Sequence, residues 1–439
     1  MPLPVNNLVS LLGAAFFVKA SNAAITTMIG IVIAQRGGDQ SEVAFIAACY
    51  SAGFLAGCFL SPQQVARVGL IRGFVAGAAI LTISIVGIDM TNSSAAWALL
   101  RFLMGASMAA VIAACDAWIN ETTPNEERGS VIAIQSIVYG LAAVASQMVF
   151  LLFDVGEDFV LVFAIMMNIS VVMVAMTSAS APKTVPIKGR AFGSFAPVSA
   201  AATVSAFASG FMIASFVSLV PFYLASNGVP AGLVAMVLAS MFLGRLVFQW
   251  PVGRVSDRLD RRTVLAGLST GIILVTVGIL LIAALTNTGE GRAVSGDLGL
   301  PVQIFAFVCT VLLGGMLYPL YSVTSALAFD RAEGRSKIEV STTILAIHTV
   351  GAIVGPYTVM LLGRLLDNYA LFVGLMVMSG LTALVGTVKR FIVEAPSEQS
   401  PTLPLQPESS LEMNQVAAEL AEETASSNDQ SGGPATDTR

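Results

Sequence analysis

Twelve mainly apolar runs succeed one another along the chain, at approximately 8–34, 43–61, 69–88, 95–119, 131–153, 159–178, 200–226, 231–252, 263–286, 301–329, 338–363 and 369–391. A helix rises about 1.5 Å per residue and a bilayer's hydrocarbon core is about 30 Å thick, so each run is long enough to cross it. The pattern predicts an all-α polytopic membrane protein with twelve transmembrane helices. One long polar break between runs, at 179–199, carries Pro182, Pro186, Lys188, Gly189 and Arg190. It predicts an N-terminal six-helix half at 1–178, a cytoplasmic linker at 179–199, and a C-terminal six-helix half at 200–392. The remaining 393–439 is rich in Ser, Pro, Glu, Thr and Gln without an apolar period, which predicts a disordered acidic cytoplasmic tail.

The polar breaks also predict orientation, because cytoplasmic loops carry the excess of Lys and Arg. With the amino terminus inside, the inner connections and the end of the last span hold 15 basic residues, and the outer connections hold three, Arg36, Arg292 and Arg364. Both ends are therefore expected in the cytoplasm and the protein in the plasma (inner) membrane. The amino terminus has no basic stretch before its first apolar run and no small-residue cleavage pattern, so no removed signal peptide is expected.

Composition agrees: 56% of residues are hydrophobic and 11% charged, against about 25% charged in soluble domains. Such a chain has no basic surface for nucleic acid. Cys49, Cys58, Cys115 and Cys309 lie singly inside apolar runs without metal or disulfide spacing, so they read as small core residues. There is one histidine, no GxxxxGK[ST], no HExxH and no GxSxG. No enzyme chemistry, metal or cofactor is expected, and energy for any transport would come from a gradient.

Between the eighth and ninth runs stands Gly253-Arg254-Val255-Ser256-Asp257-Arg258-Leu259-Asp260-Arg261-Arg262. A Gly, three residues, Asp-Arg, two residues and a basic pair resembles the inter-helix signature of the major facilitator superfamily. The resemblance covers roughly 8–391 and implies the major facilitator fold, two six-helix pseudo-repeats, and a secondary transporter working as a monomer. It also implies that Gly253, Asp257, Arg258, Arg261 and Arg262 form an inner gate, with the acid facing a helix amino terminus. The matching place between the second and third runs, Ala66-Arg67-Val68-Gly69-Leu70-Ile71-Arg72, is a degenerate copy. Arg67, Gly69 and Arg72 persist there, but Ala66 replaces the acid. Arg101 followed by Gly105 resembles the superfamily's fourth-span motif, associated with proton coupling. The antiporter-type motif of the fifth span is not seen, so motifs alone do not establish antiport.

Ionisable residues within spans are expensive and mark pathways or relays. Lys19, Asn22 and Thr26 recur at spacings of three and four, on one helical stripe expected to line a cavity between the halves. Lys19 is read either as an anion-binding charge or as an ion-pair partner. Arg101 reads as a coupling residue or as a snorkelling interfacial Arg. Asp116 is 15 residues beyond Arg101, about 22 Å along a helix, so the two cannot pair. It is read as a protonatable coupling site or an inner-gate charge, with Trp118 beside it as an interfacial anchor. His348 is a third coupling candidate, set against a neutral hydrogen-bonding role. Arg245, Gln135, Tyr318 and Tyr321 complete the cavity candidates. A short echo pairs Ala133-Ile134-Gln135-Ser136 with Ala346-Ile347-His348-Thr349 in the fifth and eleventh runs.

The expected function is a secondary active transporter working by alternating access, coupled to protons and directed to efflux, with a small amphipathic or weakly charged solute. Its partners would be that solute, protons and the lipid bilayer. Sugars are less favoured, given few Asn, Gln or acidic side chains in the spans. A metabolite importer or facilitator, or a non-transporting sensor on the same fold, are the alternatives.

Overall fold

The computed structural model describes residues 5–123, 125–153, 155, 157–176, 199–286, 300–332, 337–366, 369–392 and 402. The expected linker, apart from Ser199, and the expected tail, apart from Thr402, lie outside these residues, as do Lys183, Lys188, Arg190, Arg292 and Arg335.

Twelve helices follow in order: α1 Val5–Gln35, α2 Gln40–Val68, α3 Leu70–Asp89, α4 Ser94–Thr122, α5 Asn125–Leu152, α6 Glu157–Ala175, α7 Ala200–Ser226, α8 Ala231–Ser256, α9 Arg261–Thr286, α10 Leu300–Asp330, α11 Lys337–Leu366 and α12 Ala370–Ile392. Among the described residues, eleven are long and apolar enough to cross a membrane, while the apolar part of α6, Val160–Ala175, is shorter. Several helices outrun their apolar runs: α2 continues to Val68 and α5 begins at Asn125. Polar residues beyond the hydrocarbon still gain the helical hydrogen-bond ladder, so hydropathy marks the span and not the helix end.

Helix neighbours repeat with an offset of six. In the first half α1 packs on α5 and α6, α2 on α4, and α3 on α4 and α6. In the second, α7 packs on α11 and α12, α8 on α10, and α9 on α10 and α12. The halves meet through α1 with α7, α2 with α11, and α5 with α8. The last two pairs also exchange under the same offset, as two parallel repeats about an axis along the membrane normal require.

Close helix contact depends on missing side chains. A Cβ at Gly105 of α4 would run into the Tyr50 carbonyl oxygen of α2, and one at Gly244 of α8 would run into the Val311 carbonyl oxygen of α10. With no hydrophobic drive between helices in lipid, such backbone proximity is what dispersion attraction needs. The peripheral helices α9 and α12 bury least of their spans, 28% and 33%. Leu274, Val277 and Leu384 on them are exposed, as suits a lipid face. Gly69, with φ of 92°, separates α2 from α3 in one residue, a backbone setting that L side chains rarely adopt.

Two aromatic–Arg stacks stand toward opposite ends of the bundle. Arg254 lies 3.7 Å from the Trp250 ring, and Arg36 lies 4.4 Å from the Trp97 ring. Trp118, expected as an interfacial anchor, is instead 1% exposed and belongs to the core. A helix's position along the chain predicts depth in the membrane but not which side of the helix meets lipid.

Candidate functional site

Near the middle of the bundle, between the halves, lies a cavity of about 140 Å³. From the first half α1 contributes Lys19, Asn22 and Thr26, α4 contributes Arg101, and α5 contributes Tyr139. From the second, α8 contributes Arg245, α10 Tyr318 and α11 His348. The helical stripe on α1 thus faces the cavity, while Gly30, the next residue of that stripe, packs against Pro221 and Phe222 of α7.

Each cationic head in the lining lies over a tyrosine ring. Lys19 Nζ is 4.8 Å from the centre of Tyr139, Arg101 Cζ is 4.2 Å from Tyr50, and Arg245 Cζ is 4.8 Å from Tyr318. A ring face attracts a cation, and more strongly where water is sparse. Arg101 also donates to Thr26 Oγ1 at 3.1 Å, and Thr26 donates to the Asn22 carbonyl at 2.9 Å. Asn22 in turn donates to Tyr50 Oη at 2.9 Å. Arg101 is therefore a buried component of a network, 2% exposed, and not a snorkelling side chain.

Asp116 is fully buried and accepts from Gln135 Nε2 at 2.6 Å, and the same nitrogen reaches Tyr139 Oη at 2.8 Å. Lys19, Tyr139, Gln135 and Asp116 thus form one connected group on α1, α4 and α5. In the other half His348 Nδ1 meets Ser209 Oγ at 2.9 Å, the donor depending on tautomer. Its ring stands edge-on to Tyr321 at 4.7 Å. Tyr321 is buried behind His348 and is not part of the cavity lining. Gln135 and His348, the two members of the short sequence echo, hold the same relative places on α5 and α11. Each anchors a polar group on an adjacent helix.

A second cavity, of about 440 Å³, lies between α5 and the pair α8 and α10. It is lined by Arg245, Gln249, Pro319, Ser322, Gly253 and Asp257 among others, so Arg245 borders both cavities. At the opposite end, marked by Arg36, the halves are close: a Cβ at Gly232 of α8 would touch Leu151 of α5, and one at Gly363 of α11 would touch Gln40 of α2.

The Gly253–Arg262 stretch is mostly helix. Gly253 to Ser256 form the last turn of α8 and Arg261 and Arg262 open α9, leaving four connecting residues. Asp257 caps the carbonyl end of α8, where the helix dipole does not favour a negative charge. Among the described residues its carboxylate bonds to the Thr402 backbone, while the resemblance implies a helix amino terminus as its partner. Asp257 is exposed, accepts from the Thr402 backbone N–H at 2.8 Å, and is close enough to Arg261 for attraction. The acid at a helix amino terminus is Asp260, which accepts from the backbone N–H of Arg262 at 2.9 Å and from its guanidinium at 2.7 Å. Burial alone would raise the Asp260 pKa, but these hydrogen bonds and the Arg262 charge hold its carboxyl below the usual range.

The two arginines are fully buried. Arg261 Nε pairs with Asp330 Oδ2 of α10 at 2.6 Å, and Arg262 donates to the Lys389 carbonyl of α12 at 2.7 Å. Thr402 bridges Arg261 and Ser256 through its hydroxyl, at 3.0 and 3.2 Å. The signature therefore ties the ends of α8, α9, α10 and α12 together within one half. Arg258, Arg67 and Arg72 are exposed at the connections, and they join no buried ion pair among the described residues.

Sequence reasoning missed Tyr50, Tyr139, Asp260, Asp330 and Thr402. The chain has seven tyrosines in 439 residues, and their place inside apolar runs was a signal for the first two. Asp330 falls one residue past the tenth apolar run, 301–329, where hydropathy does not tell which neighbour it meets. Among the described residues no three His, Cys, Asp or Glu side chains gather in a way that would hold a metal ion.

Among the described residues, twelve helices in two parallel repeats, with charged residues from both halves around a central cavity, define a membrane transporter fold. The profile of the Major Facilitator Superfamily matches residues 11–289 and 202–421, and the chain belongs to that family. It is 22% identical over 356 residues to an uncharacterized MFS-type transporter of Enterobacter sp. (strain 638), covering 79% of this chain and 86% of the relative. It is 22% identical over 364 residues to the uncharacterized MFS-type transporter YcaD of Escherichia coli O6:K15:H31 (strain 536 / UPEC), covering 82% and 89%. Among solved structures it resembles a D-xylose-proton symporter, with TM-score 0.65 and 13% identity over 89% of this chain and 98% of that one. It also resembles the nucleoside transporter NupG, with TM-score 0.67 and 10% identity over 88% and 100%. The protein is an integral, multi-pass membrane protein of a transporter family, acting on small-molecule solutes in a lipid environment.

Proposed function

We propose that this protein is a proton-coupled secondary transporter that exports a small solute by alternating access. The observation that carries this reading is the pair of cavities meeting at Arg245. Toward the Arg36 end the halves approach closely at Gly232 with Leu151 and at Gly363 with Gln40, and the second cavity continues toward the Asp257 end. That asymmetry supports a two-state rocker with one gate shut. Differential binding of solute and proton to its two states need only bias them by a few kcal/mol. The bias of Lys and Arg supports placing the Asp257 end and both chain ends in the cytoplasm. A cytoplasmic solute then has a route to Arg245, which supports efflux. The six-plus-six architecture supports a working monomer in the plasma membrane, with no catalysis of bond cleavage.

Asp116 is the proton site we assign. It is the fully buried carboxylate within the Lys19, Gln135 and Tyr139 group, so gaining a proton would redistribute hydrogen bonds on three helices of one half. His348, held between Ser209 and Tyr321, serves as a polar contact between α7, α10 and α11.

The test is solute flux in proteoliposomes under an imposed pH gradient, using a panel of labelled small metabolites. Gradient-dependent flux is expected for at least one of them. Asp116→Asn should abolish that dependence while preserving solute exchange between the two sides. Retained gradient dependence removes Asp116 from coupling, and absence of exchange for every solute by folded protein removes transport.

A further inference from the structure

We propose that the central cavity selects a small organic anion, recognised by the guanidinium groups of Arg101 and Arg245. The proposal rests on the transport reading above and extends it to a class of substrate. It sharpens the sequence expectation of an amphipathic or weakly charged solute to a negatively charged one.

Three side chains of one sign, Lys19, Arg101 and Arg245, line the same small space. The described residues of that lining include no Asp or Glu, and Asp116, although buried nearby on α4, is not among them. Removing each charge from water costs several kcal/mol even after relaxation. Two guanidinium groups from different halves lining one cavity attract a ligand of opposite charge there. A cationic solute would meet repulsion there. A neutral one would gain no such attraction.

The geometry supports recognition and not charge alone. Arg101 on α4 lies over Tyr50 on α2, and Arg245 on α8 lies over Tyr318 on α10. Helices α2 and α4 correspond to α8 and α10 in the repeat, so each half carries one Arg–Tyr stack across its equivalent helix pair, with the partners exchanged. A guanidinium whose face lies on a ring directs its N–H groups in its own plane, along the edge that fits a carboxylate or phosphate. Arg101 already makes such an edge bond, to Thr26. The rest of the wall includes Phe54, Ile213, Val217 and Phe242, which suit an apolar body attached to the anionic group. With one Arg in each half, an anion touching both would draw the halves together around it, which is how binding favours an occluded state.

The experiment uses the purified full-length chain and three matched ligand series. Each series has one carbon skeleton (ethyl, butyl or benzyl) bearing a carboxylate, a phosphate ester, a primary amide or an amine. Thermal shift in detergent reads binding, and counterflow in proteoliposomes reads transport. Within at least one skeleton a carboxylate or phosphate should stabilise the protein while its amide and amine do not, and the better of the two anions identifies the headgroup. Arg101→Gln and Arg245→Gln should each raise the Kd of that anion about tenfold or more. Arg101→Lys should lose less, and exposed Arg364→Gln should lose nothing. Equal or stronger stabilisation by amide or amine, no shift from any anion, or full anion binding by the double Gln variant overturns the proposal. If the Gln variants do not fold, the ranking of anion against amide on the unaltered chain decides it. Anion binding without counterflow supports the anion site and overturns transport. Counterflow of neutral or cationic solutes alone supports transport and overturns the anion site.

Discussion

Arg261 and Asp330 form an ion pair at 2.6 Å in which each side chain is 1% exposed. It joins the start of α9 to the end of α10, beneath the exposed Asp257 that the sequence signature brings forward. The strongest charge contact of this connection therefore lies within one half of the protein, where it holds the ends of α9 and α10 together.

A buried pair is costly to break from one side, because the remaining charge keeps its desolvation penalty. Asp330→Asn is expected to destabilise the C-terminal half by about 3 kcal/mol or more. Exchanging the charges, with Arg261→Asp and Asp330→Arg together, should recover part of the loss. Thermal unfolding of purified protein in detergent measures both. A melting temperature for Asp330→Asn equal to that of the unaltered chain would show that the pair adds no stability.

Asp257 contributes differently. It is exposed at the carbonyl end of α8, with Thr402 across from it, and lines the second cavity, whose opposite wall is α5 of the other half. Asp257→Asn should leave membrane insertion and melting temperature unchanged and reduce flux several-fold. Reconstituted flux at matched protein amount reads this directly. Unaltered flux would return Asp257 to a surface role.

Two glycines separate packing from propensity. Gly105→Ala would force a methyl group into the Tyr50 carbonyl of α2, and overpacking of this kind costs about 1–3 kcal/mol. Because Tyr50 also underlies Arg101, the same change should weaken solute binding. Gly267 in α9 has open space around the corresponding position, so Gly267→Ala should be neutral or stabilise by up to about 1 kcal/mol. Melting temperatures of the two variants should move in opposite directions or, for Gly267, not at all. A harmless Gly105→Ala would mean that α2 and α4 can separate without cost.

The helices and their grouping were legible before any coordinates, because membrane insertion writes its demand locally: about 20 apolar residues per span, with basic residues in the breaks. Lys19, Arg101, Arg245 and His348 were legible as cavity or coupling candidates for the same reason, since charge and imidazole are costly in hydrocarbon wherever they occur. Their convergence was not legible. Residues 19, 101, 245 and 348 stand on four helices, and only the rotation of each helix about its axis decides whether a side chain meets lipid, a neighbour or a cavity. Trp118 illustrates the limit, with the right depth for an anchor but a helix face that turns inward. The same applies to Asp257 and Asp330. The motif's own acid is conspicuous in sequence, yet the folded chain buries the distant one against Arg261. Long-range partners depend on helix packing, which close backbone approaches such as Gly105 on Tyr50 and Gly244 on Val311 settle in three dimensions. The sequence by itself determined that this chain crosses the membrane repeatedly as a transporter of two six-helix halves. Only the tertiary structure decided that one cationic head from α1 and two from α4 and α8 share a single cavity, because that depends on helix rotation and contact and not on local composition.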